Sequence, residues 1–395
     1  MRKLHLLFFP ALIPCLLLWS CASRKPAPAP ATAAVAPPAT NRPPRTGPDF
    51  IAQPVGEAAR FVSASSAAFR YEGRIDFADS KGPVFIWQGT RMAIDFQGRR
   101  LALRLDCLEG QSFFDVTLDG TKYLLPVRGG TDQRYLFQGE LGPGRHHLTL
   151  FKRSEAIVGQ VRFRGIELEA GADVWRPAPP DYRMRMEFIG DSITVGACDE
   201  DGDADQWDDR QTHNNALSYG CLTAGAFSAD YRNIAVSGMG VTTGWVDVRA
   251  GQIWDRLYPK VSSVRAGLDS WKPDVVFVNL GENDDAYTHA HGQPFPANFT
   301  ADYILLVRAI RDNYPEARIV LLRGGMYGGA QSIALRDAWE AAVKRLEAAD
   351  PAIYHFVFTH WTENHPRVRD HREMADELIQ WLKAQDFMKT AGHSN

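Results

Sequence analysis

The sequence predicts an α/β protein in two folded parts: an all-β sandwich, then a three-layer α/β/α domain on a parallel sheet. Three observations predict it. From about Ala59 to Glu169, apolar and polar side chains alternate between regular turn signals, with little helical periodicity. From Met184 onward, short apolar strands alternate with amphipathic helices, as in a sheet covered on both faces. Between the two, Arg176-Pro177-Ala178-Pro179-Pro180 breaks the alternation and marks a joint.

At 395 residues the chain is long enough for two cores, and its formal net charge of −3 is slight. It has no Lys/Arg-rich stripe, so nucleic acid is not an expected partner. Arg2 and Lys3 precede an apolar run, Leu6 to Trp19, of signal-peptide length. The run ends at Leu18-Trp19-Ser20-Cys21, which resembles a bacterial lipoprotein processing site. The resemblance implies a signal segment 1–21, a lipidated Cys21 and export to the outer membrane or cell surface. Ordinary cleavage, leaving a periplasmic or secreted protein, is the alternative. A lipid anchor would be the chain's one link to a membrane. A Pro/Ala-rich spacer follows, assigned to 22–58. Of the remaining thiols, Cys107, Cys198 and Cys221, two can pair in an exported protein. Cys198 and Cys221 are the favoured pair, since both follow Ser192 in one loop region.

The first folded part is assigned to 59–175. Leu101, Leu103 and Leu105 share one face of a strand, as do Phe114, Val116 and Leu118. Asp119-Gly120 is a hairpin signal, and Gly142-Pro143-Gly144 marks another turn before Leu148 and Leu150. Val161, Phe163, Ile166 and Leu168 close the run. Such strands suit a β-sandwich or jelly roll. Trp87, Phe113 and Tyr135 are candidates by type for stacking on sugars, with core packing the simpler reading. Lys152-Arg153-Ser154-Glu155 reads as a surface or interface charge cluster.

The second part is assigned to 181–388. Strands are expected at Met184–Ile189, Asp230–Val236, Asp274–Leu280, Ile319–Leu322 and Ile353–Phe358. Helical spacing is kept by Tyr303, Val307, Ile310 and Tyr314, by Leu335, Trp339, Val343 and Leu346, and by Met374, Leu378 and Leu382. Asp370 with Glu373 offers a capping box for the last of these helices.

Four strand ends then carry chemistry-bearing residues. Gly190-Asp191-Ser192 places a hydroxyl where the first strand stops, the position at which open α/β sheets bind ligands. Ser237-Gly238-Met239-Gly240 follows the second, and a glycine lets its N–H approach a ligand closely. Gly281-Glu282-Asn283-Asp284 follows the third, where an Asn amide can donate to a developing oxyanion. Asn364-His365-Pro366 follows the last, with His371 six residues on, and histidine is the usual acceptor of a serine proton. Each segment alone is an ordinary turn. Their convergence on one edge of one sheet is harder to dismiss.

Gly190-Asp191-Ser192, Gly238, Gly281-x-Asn283-Asp284 and His365-Pro366 resemble, in order and spacing, the four blocks of SGNH (GDSL-type) hydrolases. The upstream part, with Lys152-Arg153-Ser154-Glu155 and Gly159, is similar to the N-terminal jelly roll of carbohydrate esterase family 2, of which acetylxylan esterases are members. The resemblance spans about residues 60–384 and implies a flavodoxin-like SGNH domain. It implies an esterase acting on acetylated polysaccharides such as xylan or glucomannan, without cofactor or metal. Ser192 would be the nucleophile and His365 its base, with Ser192, Gly238 and Asn283 forming the oxyanion hole.

One position departs from the family. SGNH enzymes commonly carry Asp three residues before the histidine, where this chain has Thr362. Thr362 and the adjacent Glu363 are the candidates for orienting His365, although neighbours on an extended chain point apart. Some members of this esterase family use a Ser-His pair alone. Glu282 also replaces a residue that is more often small and polar. The loop Asp199-Glu200-Asp201-Gly202-Asp203-Ala204-Asp205 alternates acids like a calcium loop. It has Ala204 and Arg210 where that loop needs Gly and Glu, so it is read as solvated. Trp207 and Trp245 are candidates to shape a sugar cleft. The competing readings are a lipase or thioesterase on the same scaffold, and a sugar-binding lipoprotein with a decayed hydrolase domain.

Overall fold

The structure, a computed structural model, describes residues 49–53 and 60–390. The expected signal segment, Cys21 and the stretch Arg24–Pro48 lie outside the described residues. Those from residue 49 onward fall within one compact unit.

The β pattern forms two antiparallel sheets, of seven and six strands among the described residues. Their inner faces close over Phe85, Leu103, Phe114, Leu150 and Phe163, all fully buried. Asp119-Gly120 makes the predicted hairpin: both residues have positive φ, and Leu118 pairs with Thr121. The spacer assignment needs correction, because Phe50–Gln53 is a strand paired with Gln133–Phe137. The Phe50 ring packs 5.2 Å from that of Phe137, an apolar anchor that its proline-rich surroundings conceal.

The second part carries a five-stranded parallel sheet. Its strands are β1 (Met184–Gly190), β2 (Ala229–Ala235), β3 (Val275–Asn279), β4 (Arg318–Met326) and β5 (Ile353–Thr362), in the order β2-β1-β3-β4-β5. Alternation sorts their side chains into two cores. Ile189, Val276, Val278 and Leu321 face the helices Phe299–Asn313 and Ile333–Ala349. Phe188, Phe277, Val320 and Leu322 face the helix Val368–Ala384. β4 and β5 run four residues beyond the apolar stretches read from sequence, because pairing resumes past a bulge at Arg323/Gly325. The helix Val368–Ala384 starts before the expected cap. Asp370 is its third residue and accepts the Arg367 N–H at 2.9 Å, so Glu373 is not its capping partner.

The two parts share a buried, polar seam. Trp87 is 1% exposed and donates its indole N–H to Leu257 O at 2.8 Å; Phe113 and Tyr135 are likewise buried. None of the three is a sugar platform. Arg74 donates to Trp254 O at 2.6 Å and Arg256 O at 2.9 Å, and pairs with Glu187 of β1 at 3.2 Å. The Lys152–Glu155 run is not a surface cluster: all four residues are buried. The Arg153 guanidinium pairs with Asp115 at 3.0 Å, with Glu200, and with His213 O at 3.3 Å.

Lys152 donates to Ser154 O at 2.8 Å and Glu155 O at 3.1 Å. Burial lowers its pKa to about 7, against the upward pull of Glu155. The unfolded lysine titrates near about 10.4, so between these values the unfolded chain holds the extra proton and native stability rises with pH. Lys152→Met is expected to remove this component, flattening the rise in unfolding free energy above pH 7 by up to about 1.4 kcal/mol per pH unit. Urea melts at stepped pH values measure it. Parallel curves for the two proteins would mean that Lys152 keeps its charge.

Candidate active site

The predicted residues meet at the carboxyl edge of the sheet, in a cleft of about 370 Å³ lined by Ser192, Gly238, Asn283, His365, Trp207 and Trp245, among others. Ser192 opens a one-turn helix directly after β1. Asp191 caps that turn, accepting the Ile193 N–H at 3.1 Å, and Gly190 keeps it tight, since a Cβ there would lie 2.1 Å from Thr194 Oγ1. Burial pushes the Asp191 carboxyl well above the usual carboxylate range, and Glu282 adds to the effect. Its cap on the turn gives it a structural place.

Ser192 Oγ lies 2.8 Å from His365 Nε2. The histidine is not oriented from its own strand end. Its Nδ1 lies 2.6 Å from Asp205 Oδ2, and its backbone N–H reaches the same oxygen at 3.3 Å. This corrects the reading of Thr362 and Glu363 as orienters. The Thr362 hydroxyl donates to Asn364 O at 2.6 Å, and Glu363 is exposed in the bend just past the end of β5. The reading of the acidic loop as solvated holds for Gly202, Asp203 and Ala204, which are exposed, but not for Asp199, Asp201 and Asp205. Asp205 is shielded between two segments, and Arg367 binds its other oxygen at 2.7 Å. Burial raises the Asp205 carboxyl, but the hydrogen bonds from His365 and Arg367 outweigh this and hold it well below the usual range. Arg367 also donates to Cys198 O, Gly202 O and His365 O, stitching the acidic loop to the histidine loop.

Gly238 has φ +80°, which suits glycine, and a Cβ there would press on Trp245 Cβ at 3.1 Å. Its carbonyl accepts the Trp245 N–H at 2.8 Å. Asn283 sits in the first turn of the helix Glu282–Ala290, an element the sequence reading missed because its mixed polar residues show no apolar stripe. Asn283 Nδ2 donates to Met239 O at 3.1 Å, leaving its second amide hydrogen for the cleft. Asp284 next to it accepts the N–H groups of Val241, Thr242 and Thr243 at 2.7–2.9 Å and so pins the loop that carries Gly238. Glu282 caps the N–H groups of Gly328 and Gly329 at 2.9 and 2.7 Å, a structural tie. His371 is fully buried and accepts the Tyr219 N–H at 3.2 Å; it takes no part in the cleft.

Cys198 and Cys221 are not bonded: all three described cysteines are free thiols. Cys198 turns inward toward His213 Nε2 at 3.5 Å, while Cys221 packs against the core beneath the Val368–Ala384 helix. The donor atoms of Cys198, Asp201 and His213, and of Cys198, Asp205 and His365, lie within 4.8 Å of one another, close enough to hold a metal. Their present partners account for both groups. Asp205 holds His365, Asp201 accepts from Gln206 and Thr212, and His213 Nε2 meets Gln206 O at 3.1 Å.

Two family models match in tandem. Residues 71–180 match "Carbohydrate esterase 2 N-terminal", and residues 188–383 match "GDSL-like Lipase/Acylhydrolase family". The chain belongs to carbohydrate esterase family 2. Among its relatives is the cellulase/esterase CelE of Acetivibrio thermocellus, 32% identical over 327 residues; these are 79% of this chain but 39% of that larger protein. An acetylxylan esterase / glucomannan deacetylase of Cellvibrio japonicus is 26% identical over 82% of this chain and 90% of its own. A family-two carbohydrate esterase from Clostridium thermocellum, solved in complex with cellohexaose, superposes with a TM-score of 0.70 at 28% identity, covering 80% of this chain and 98% of that one. Within this family-2 chain, Asp205 is the site residue that motif spacing could not supply.

Proposed function

We propose that this chain is a serine esterase that removes O-acetyl groups from plant cell-wall polysaccharides, xylan or glucomannan. The observation that carries the reading is the chain of hydrogen bonds from Ser192 through His365 to Asp205 at the wall of an open cleft flanked by two exposed tryptophans. Ser192 Oγ attacks the acetyl carbonyl as His365 Nε2 takes its proton. The N–H groups of Ser192 and Gly238 and the Asn283 amide bind the oxyanion. Collapse returns the proton from His365 to the departing sugar oxygen. Water, deprotonated by the same nitrogen, then releases acetate from Ser192.

The cleft walls favour a small acyl group on a polar carrier. Glu155, Arg210, Ser237 and Asn283 line it beside Ile157, Val246 and the two tryptophans. Acetate release from acetylated xylan and acetylated glucomannan, beside a long-chain fatty ester, tests the reading. Release from the polymers alone supports it; preference for the fatty ester would move the assignment to a lipase. Trp245 is 53% exposed at the rim. Trp245→Ala is expected to raise KM for acetylated oligosaccharide about three- to tenfold, the worth of one aromatic contact, and to leave KM for a small acetyl ester unchanged. The proposal includes export and a lipid on Cys21, from Leu18-Trp19-Ser20-Cys21. Cys21→Ser is then expected to move the protein from the membrane fraction to the soluble one.

A further inference from the structure

We propose that Glu155, carried by the sandwich, is a positioning residue for the oxyanion loop, so that the sandwich completes the catalytic site. The inference rests on the esterase reading above. Glu155 is 1% exposed yet lines the cleft. Its Oε2 accepts the Ser237 N–H at 2.8 Å, and its Oε1 faces Arg210 Nη1 at 3.4 Å. Ser237 directly precedes Gly238, the residue whose N–H serves the oxyanion hole.

The loop is held from three sides. Asp284 accepts the N–H groups of residues 241–243, Trp245 N–H donates to Gly238 O, and Glu155 accepts the Ser237 N–H. Glu155 alone of these comes from the other part of the chain. Without it a buried peptide N–H would lack an acceptor, and the Ser237 peptide would turn to find one, carrying Gly238 with it. A bare carboxylate near a developing oxyanion would oppose it; the Arg210 guanidinium offsets that charge.

The turn bearing Glu155 is built to be stiff. Lys152 ties the carbonyls of Ser154 and Glu155, Ser154 Oγ accepts the Phe113 N–H at 3.0 Å, and Ala156 N–H meets Gln88 Oε1 at 3.1 Å. Gln88 in turn donates to Asn233 and Ala235 O of β2, the strand that leads into the oxyanion loop. The sandwich therefore grips both ends of the segment from 233 to 237.

Steady-state kinetics on p-nitrophenyl acetate and on an acetylated xylo-oligosaccharide, with the full chain, test this. Glu155→Ala is expected to lower kcat about 10- to 100-fold on both substrates, with KM within about threefold of native. Glu155→Gln keeps the acceptor and is expected to recover most of kcat. Glu155→Asp keeps the charge but falls short of Ser237, and is expected to behave as the alanine variant does; it serves if alanine does not fold. A native protein that cleaves neither ester would sink the esterase reading itself. Native activity with an unchanged kcat in Glu155→Ala and Glu155→Asp, or a loss confined to KM on the oligosaccharide, would overturn the positioning role alone.

Discussion

Ser192→Ala is expected to abolish acetate release, by about 10⁴-fold or more in kcat, with the fold and sugar binding intact. In the proposed mechanism this hydroxyl makes the covalent bond on which both half-reactions depend, and it is the hydroxyl that lies 2.8 Å from His365 Nε2. The substitution removes one oxygen from a side chain that is 4% exposed and opens no large cavity. Circular dichroism should therefore be unchanged, and native affinity electrophoresis in xylan should be retained. Substantial residual turnover that survives repurification would mean that Ser192 is not the nucleophile.

Asp205→Asn is expected to lower kcat by about 10²–10⁴-fold while KM stays near native. The carboxylate does two things at His365 Nδ1. In the proposed mechanism it holds the tautomer that leaves Nε2 free to accept the serine proton, and it stabilises the imidazolium formed as Ser192 attacks. Asparagine keeps the size and loses the charge. Because Arg367 and His365 hold the Asp205 carboxyl far below neutrality, it remains ionised across the working pH range. The acid limb of native kcat/KM is then not expected to come from Asp205. Thr362→Ala and Glu363→Ala, in the same assay, should stay within about threefold of native. The reverse ranking would restore the orienting role to the strand-end position. A small effect of Asp205→Asn with normal folding would leave a Ser-His pair held by backbone alone.

These two variants also mark how far the sequence could be read. Ser192, Gly238, Asn283 and His365 were visible because each lies at the end of a β strand, and β strands announce themselves through short apolar runs. The helices covering the sheet were visible where they carry an apolar stripe, as at Tyr303, Val307 and Ile310. The Tyr219–Ala226 and Glu282–Ala290 helices were missed, since neither shows one. The paired-cysteine expectation failed because a shared loop region in sequence says nothing of side-chain direction. Cys198 turns toward His213 and Cys221 toward the core. Trp87 was read as a feature of the first part alone, whereas it faces a seam between the two parts; the Lys152–Glu155 run was read as a surface or interface cluster, and of the two the interface holds.

The residues alone determined the two folded parts, the order of the strands along the chain, and the four groups that meet at the sheet edge. Side-chain chemistry and periodicity are local, and local patterns survive in a one-dimensional string. Asp205 and Glu155 were decided in three dimensions. Asp205 lies 160 residues before His365, in a loop whose acids resemble a solvated run, and Glu155 lies 82 residues before Ser237, on another sheet. Each gains its role only when Arg367 or Lys152 and Arg153 fold its segment against the site. Burial then turns an ordinary carboxylate into a fixed acceptor, because in that setting an unmatched partner is costly.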